Sequence, residues 1–309
     1  MNSVIIRTLV PIFLLIGLGF FSRFRGYLKQ GDERVLSAYL YWFALPALFF
    51  VILSETIFTS EMLRFIVAAV IPLFIALILY MLVGTVLRWP RIKVYLLILG
   101  SIFGSVAFFG IPFIMFAFPS SQIEQLAVVA AAFISAVAVV IVIFTLELNK
   151  LSGQPGRKFF KVILSLVKNP LILSISLGIV LSLLKIVIPL PLASALHMLG
   201  KTTATVAVFM LGVFLYGRNY TNIFRALKLS LLRVFFLPTI ALLTVTWLQL
   251  PPEQGAIVVL MHAMPLAVSM IVLSDRYDFE QETIASLILI SSLGAALYLN
   301  IWLFVLGIK

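Results

Sequence analysis

The chain alternates between long apolar runs and short polar punctuation. No stretch shows the ten-residue polar–apolar alternation of a membrane β-barrel strand. The runs last about twenty residues, the length of helix that crosses a bilayer. They predict ten spans, with ends good to about 2–4 residues: 4–21, 35–54, 63–87, 94–117, 123–146, 167–187, 194–216, 226–248, 254–274 and 282–307. Connections are short, so no attached soluble domain is expected. The longest polar stretch, 147–161, contains Leu151-Ser-Gly-Gln-Pro-Gly156 and separates the fifth run from the sixth. Arg7 followed by an apolar stretch imitates a secretion signal. However, Phe20-Phe21-Ser22-Arg23 offers no small-residue cleavage site, and the run reads as a retained span.

Composition agrees with the pattern. Apolar residues make up 63% of the 309 and charged residues 11%, with a mean hydropathy of +1.22. A water-soluble domain is about 45–50% apolar and about 25% charged. Soluble enzymes and nucleic-acid-binding domains are thereby excluded, and the lipid bilayer is the expected surrounding. There is no cysteine, and His197 and His262 are the only histidines. No disulfide framework, thiolate site, metal cage or cofactor is therefore expected.

The net charge of +11 is a topology signal. Of 22 basic residues, 16 fall after odd-numbered runs: Arg23, Arg25, Lys29 and Arg34; Arg88, Arg91 and Lys93; Lys150, Arg157, Lys158, Lys161 and Lys168; Arg218, Arg225 and Lys228; and Arg276. Cytoplasmic loops carry such an excess, so both termini are expected outside the cell (inner or plasma) membrane.

Ten spans divided at 147–161 give residues 1–150 and 151–309, five spans each. An odd number per half forces the second half to lie inverted, the pattern of many secondary transporters. The halves match weakly: Phe109-Gly110-Ile111-Pro112 interrupts span four, Ala263-Met264-Pro265 interrupts span nine, and Pro72 and Pro238 correspond in spans three and eight. Proline removes a helical hydrogen bond, and freed backbone survives in lipid only where protein or a wet cavity satisfies it. New segments starting at Pro112 and near Pro265 would bring two helix N-termini together at the midplane. Each carries about half a positive charge, so the pair would form an anion site without lysine or arginine.

Gly110-Ile111-Pro112, Lys168-Asn169-Pro170-Leu171, Met264-Pro265-Leu266-Ala267, Leu273-Ser274-Asp275-Arg276-Tyr277 and Trp42-Phe-Ala-Leu-Pro46-Ala-Leu resemble, in this order and spacing, the auxin efflux carrier family. That family includes plant auxin carriers and bacterial permeases for malonate and malate. The resemblance covers essentially the whole chain. It implies an all-α membrane protein of ten helices in a 5+5 inverted repeat, with crossed, proline-broken helices four and nine. This is the architecture of bile-acid symporters and related sodium/proton antiporters. The resemblance further implies a scaffold of helices one, two, six and seven, a transport domain of helices three to five and eight to ten, and a possible homodimer. Family members commonly carry asparagine five residues before the crossover glycine; here that position is Ser105.

All eleven acidic residues fall in loops or at span ends: Asp32, Glu33, Glu55, Glu61, Glu124, Glu147, Glu253, Asp275, Asp278, Glu280 and Glu282. This argues against cation antiport, which needs a buried carboxylate. The candidate substrate residues are Ser105, Gly110, Ile111, Pro112, His262, Met264, Pro265, Ser269 and Asn300. His262, near the midplane, either meets the anion or takes up a proton, or it is a neutral imidazole on a freed carbonyl. Ser269 is expected to face the amides of the second half-helix, and Asn300 either glues helices or binds substrate. Arg233 is expected to snorkel to the cytoplasmic surface, the lesser alternative being a role in drawing anions into the inner vestibule. Gly100-x-x-x-Gly104 reads as a close-packing motif. The expected function is a carrier that moves a small organic anion by alternating access at the crossover, and not an enzyme. The alternative is a sodium- or proton-coupled organic-anion symporter of the bile-acid type.

Overall fold

A computed structural model describes residues 2–150, 167–217 and 220–308, and every regular element among them is a helix. The order is α1 (Asn2–Phe24), α2 (Asp32–Glu55), α3 (Ser60–Val86), α4 (Arg91–Ile102), α5 (Val106–Ala117), α6 (Ser121–Lys150), α7 (Pro170–Leu183), α8 (Leu190–Leu215), α9 (Ile223–Trp247), α10 (Pro252–Ala263), α11 (Met270–Tyr277) and α12 (Gln281–Val305). Six of them (α2, α3, α6, α8, α9 and α12) are long and apolar enough to cross a membrane. The remaining helices are shorter or broken, and each lies on one of the apolar runs. The connection expected to divide the halves, beyond residue 150, lies outside the described residues.

The fourth run is interrupted, but not at Pro112. α4 ends at Ile102, three residues leave the helical conformation, and α5 begins at Val106. Pro112 lies inside α5, directly after a wide π turn at Val106–Gly110. The same device recurs: π turns at Leu40–Ala44 in α2 and Leu232–Phe236 in α9 end just before Leu45-Pro46 and Leu237-Pro238. The reason is steric. A proline ring collides with the carbonyl four residues earlier and donates nothing to it. Widening the preceding turn relieves the collision without ending the helix. The carbonyl that Pro238 leaves without its helical donor is that of Val234, and Trp302 Nε1 donates to it at 2.8 Å.

Packing falls into two groups. α1 lies along α8, α2 along α7, and α8 against α2. Small residues permit this close approach: Gly19 abuts the Phe209 carbonyl, and Gly212 abuts that of Ile16. In the second group, α9 packs on α3, α10 and α12, and α6 on α3, α4 and α10. The groups meet where α5 touches α1 and α8 and where α6 touches α2 and α7. Outer faces are apolar, with Leu14, Ile78, Leu243, Trp247 and Leu297 all exposed. Such continuous apolar cover suits lipid rather than water.

Candidate functional site

The two interrupted runs meet at their interruptions. Phe103-Gly104-Ser105, between α4 and α5, runs antiparallel to Pro265-Leu266-Ala267, between α10 and α11, with Gly104 opposite Leu266. Ser105 N donates to Pro265 O at 2.8 Å, and Ala267 N donates to Phe103 O at 2.9 Å. Leu266 N, which faces the other way, donates to Ser291 Oγ of α12 at 3.1 Å. Backbone freed from both helices is thus satisfied within the protein, as an apolar surrounding demands. Ser105, Met264 and Pro265 lie in this crossover and are buried, and Ser269 lies at the α11 edge of the second break.

Arg233 stands at the same place, which corrects the expectation that it snorkels outward. Its π turn in α9 turns it into the protein, where it is 1% exposed. Nε donates to Met264 O at 2.7 Å, and Nη1 donates to Ser101 O. Those carbonyls sit at the ends of α10 and α4, where a helix leaves acceptors unpaired and carries its negative pole. One cation therefore caps two helix C-termini at once. Among the described residues no carboxylate pairs with it. Gly104 is not merely a packing residue: a Cβ there would run into the guanidinium.

His262 is also fully buried, two residues before Met264. Its Nε2 donates to Ala69 O of α3 at 2.8 Å, so in this state the ring is bonded to backbone. Gly110 lies against Met261 and Met264, with room for no Cβ: Met261 Sδ would stand 2.7 Å from it. Ile111 and Pro112 are buried one turn along α5. Asn300 is not drawn into the crossover by any hydrogen bond. Its Nδ2 bonds Ala296 O of its own helix, and its Oδ1 is buried without a partner.

The half-helix starts differ from each other. α5 begins with no side-chain cap, and the first amides of a helix have no partner within it. At α11, Met270 N is taken by Ala267 O at 2.9 Å and Ile271 N by Val268 O at 3.1 Å. The open positive pole at the crossover is therefore that of α5. No aspartate or glutamate among the residues of described burial is buried anywhere in the protein.

A cavity of about 810 Å³ opens elsewhere, between α2, α6 and α8. It is lined by Glu55, Glu124, Gln125, His197 and Lys201, with His197 Nε2 2.9 Å from Glu55 Oε1.

Besides the break expected at Pro112, Arg233 and Gly104 stand elsewhere than the sequence suggests. The available signal was a charge ten residues into a 25-residue apolar helix, too deep for an easy route to the surface.

A family model described as "Membrane transport protein" matches residues 4–303. An uncharacterized transporter, YfdV, of Escherichia coli K12 is 26% identical over 313 residues, covering 99% of this chain and 98% of that protein. An uncharacterized transporter of Methanocaldococcus jannaschii is 22% identical over 299 residues, covering 94% of this chain and 95% of its own length.

Proposed function

We propose that this chain, which belongs to the membrane transport protein (auxin efflux carrier) family, carries a small organic anion, a carboxylate, across the membrane, with the crossover as its binding site. One observation carries this reading: two interrupted helices meet at paired antiparallel segments where the open helix pole is positive and, among the residues of described burial, no aspartate or glutamate is buried. A cation site would need carboxylates at that depth. An anion site needs amides and positive poles, which the start of α5 supplies.

Transport would then proceed by alternating access. α4 with α5, and α10 with α11, each form one interrupted crossing, giving ten crossings in two inverted halves with both termini outside. Every polar group described at the crossover belongs to α3–α6 or α9–α12. These helices pack as one group against α1, α2, α7 and α8. The site would travel with its own group, as in an elevator-like shift, without disassembly of the crossover. The cavity bordered by α2, α6 and α8 lies on the seam between the groups, where such a shift would slide.

The test is a thermal-stability screen of purified protein against mono- and dicarboxylates, including indole-type acids, with and without sodium and at two pH values. One acid is expected to stabilise the protein. A shift of about 1 kcal/mol corresponds to a ligand at a few times its Kd. Stabilisation that requires sodium would replace this reading with a coupled symporter. A well-folded protein indifferent to every acid would overturn the anion reading.

A further inference from the structure

We propose that Arg233 is the charge-selecting residue of the crossover, and that a substrate carboxylate binds its guanidinium together with the hydroxyls of Ser101 and Tyr80. The inference rests on the reading of the crossover as an anion site, and it adds a ligand set that the broken helices alone do not supply.

A guanidinium carries five N–H donors, and the bonds to Met264 O and Ser101 O use two. Ser101 is fully buried, and its hydroxyl has no hydrogen-bonding neighbour other than the Tyr80 side chain. Because Arg233 holds the Ser101 carbonyl, that hydroxyl is necessarily close to the guanidinium. Tyr80, on α3, lies within electrostatic reach of Arg233; its hydroxyl is also buried, and the Ser101 side chain is its one hydrogen-bonding neighbour. Buried polar groups with hydrogen-bonding capacity to spare are uncommon and call for an explanation. Here two hydroxyls with spare hydrogen-bonding capacity gather around one cation at the crossover. All of them can donate, which is the complement of a carboxylate and the wrong equipment for a cation.

The guanidinium is held in place for this task. Two carbonyls from different helices fix its plane, and Gly104 leaves the space it fills. The two helix C-termini it caps supply about half a negative charge each. A bound carboxylate would therefore add its full charge to a site whose cation is shared with dipoles, without displacing a resident acid.

The test measures carboxylate binding by thermal shift and calorimetry. The probes are sodium salts from formate to glutarate and indole-3-acetate, each beside its uncharged amide. The variants are Arg233→Gln, Arg233→Lys, Ser101→Ala and Tyr80→Phe. Arg233→Gln should weaken binding of the stabilising carboxylate by about 100-fold, and Arg233→Lys less, because it retains the charge but not the fork. Ser101→Ala and Tyr80→Phe should each weaken binding by about tenfold. Each should move the ligand-free melting temperature only slightly, since the two hydroxyls have only each other to lose. Should Arg233→Gln fail to fold, the two hydroxyl variants decide the matter. Wild-type binding in Arg233→Gln, or in both hydroxyl variants, overturns the assignment while the anion reading stands. Absence of binding by any carboxylate to the wild type overturns both.

Discussion

The two breaks that meet at the crossover are built differently. The first is three residues long, contains no proline, and opens into a helix with an uncapped first turn. The second runs from Met264 to Ser269, contains Pro265, and closes the start of α11 with its own carbonyls. Proline is therefore not what makes a break here. Pro46, Pro112 and Pro238 all lie within continuous helices, each behind a π turn that makes room for the ring. The first break is maintained by its surroundings: the antiparallel pairing with Leu266 and the guanidinium that takes the Ser101 carbonyl near the end of α4. The second combines local chemistry with those same surroundings. A symmetrical pair of helix poles, as the sequence suggests, becomes one open pole and one closed pole.

The largest expected effect comes from filling the space at the first break. In Gly104→Val the new side chain meets an Arg233 that cannot retreat without abandoning two buried carbonyls. Breaking such a buried cation's contacts should cost about 3 kcal/mol or more. A large fall in melting temperature in detergent would register it. Gly100→Ala, one turn earlier in α4, is the control. Its Cβ meets only the end of the flexible Leu287 side chain, at 2.9 Å, and should cost under about 1 kcal/mol. Equal losses in the two variants would show that Gly104 is a packing residue like its neighbour, and that tertiary clamping does not create the first break.

Next in size is the anchor beside the second break. His262 ties α10 to α3 through Ala69 O. His262→Ala should lose about 2 kcal/mol, from one buried bond and the cavity left behind. His262→Gln, which can restore a donor, should recover part of it. A His262→Ala protein as stable as wild type, but unable to bind any carboxylate, would move His262 from anchor to ligand.

What the sequence made legible was mostly a matter of periodicity. Runs of about twenty apolar residues mark helices because lipid permits no other open backbone. Each helix therefore falls on one of the apolar runs, six of them long enough to cross a membrane. The locations of the interruptions were legible only to within a turn or two. Met264-Pro265 carried a local signal because proline cannot donate. Phe103-Gly104-Ser105 carried almost none: its non-helical form depends on a strand partner about 160 residues away and an arginine about 130 residues away, and window-based reading sees neither. Arg233 was misplaced because a basic residue five positions past Lys228 looks able to reach the surface. The π turn ahead of Pro238 changes which way that stretch of α9 faces, and no hydropathy pattern reports a rotation of that kind. Ser105 and Pro265 proved to be hydrogen-bonded neighbours; Asn300 did not join them.

The smallest expected effect is the most direct test of what proline does in the two broken helices. Pro112→Ala restores an N–H inside α5, where the Phe108 carbonyl four residues earlier can accept it once the π turn relaxes. Stability should change by no more than about 0.5 kcal/mol in either direction. Pro265→Ala keeps the carbonyl that accepts from Ser105, so the crossover should persist. The variant nevertheless adds a buried donor and loosens the unfolded chain, for a loss of about 1 kcal/mol. Carboxylate binding, once one acid is identified, should stay within about twofold of wild type in Pro112→Ala. The ordering carries the argument. If Pro112→Ala is the more damaging of the two, the break belongs to the proline after all, and the pairing of Gly104 with Leu266 is its consequence rather than its cause. If Pro265→Ala is the more damaging and Pro112→Ala is silent, then the first interrupted helix is broken from outside, by the arginine and the antiparallel partner that meet it.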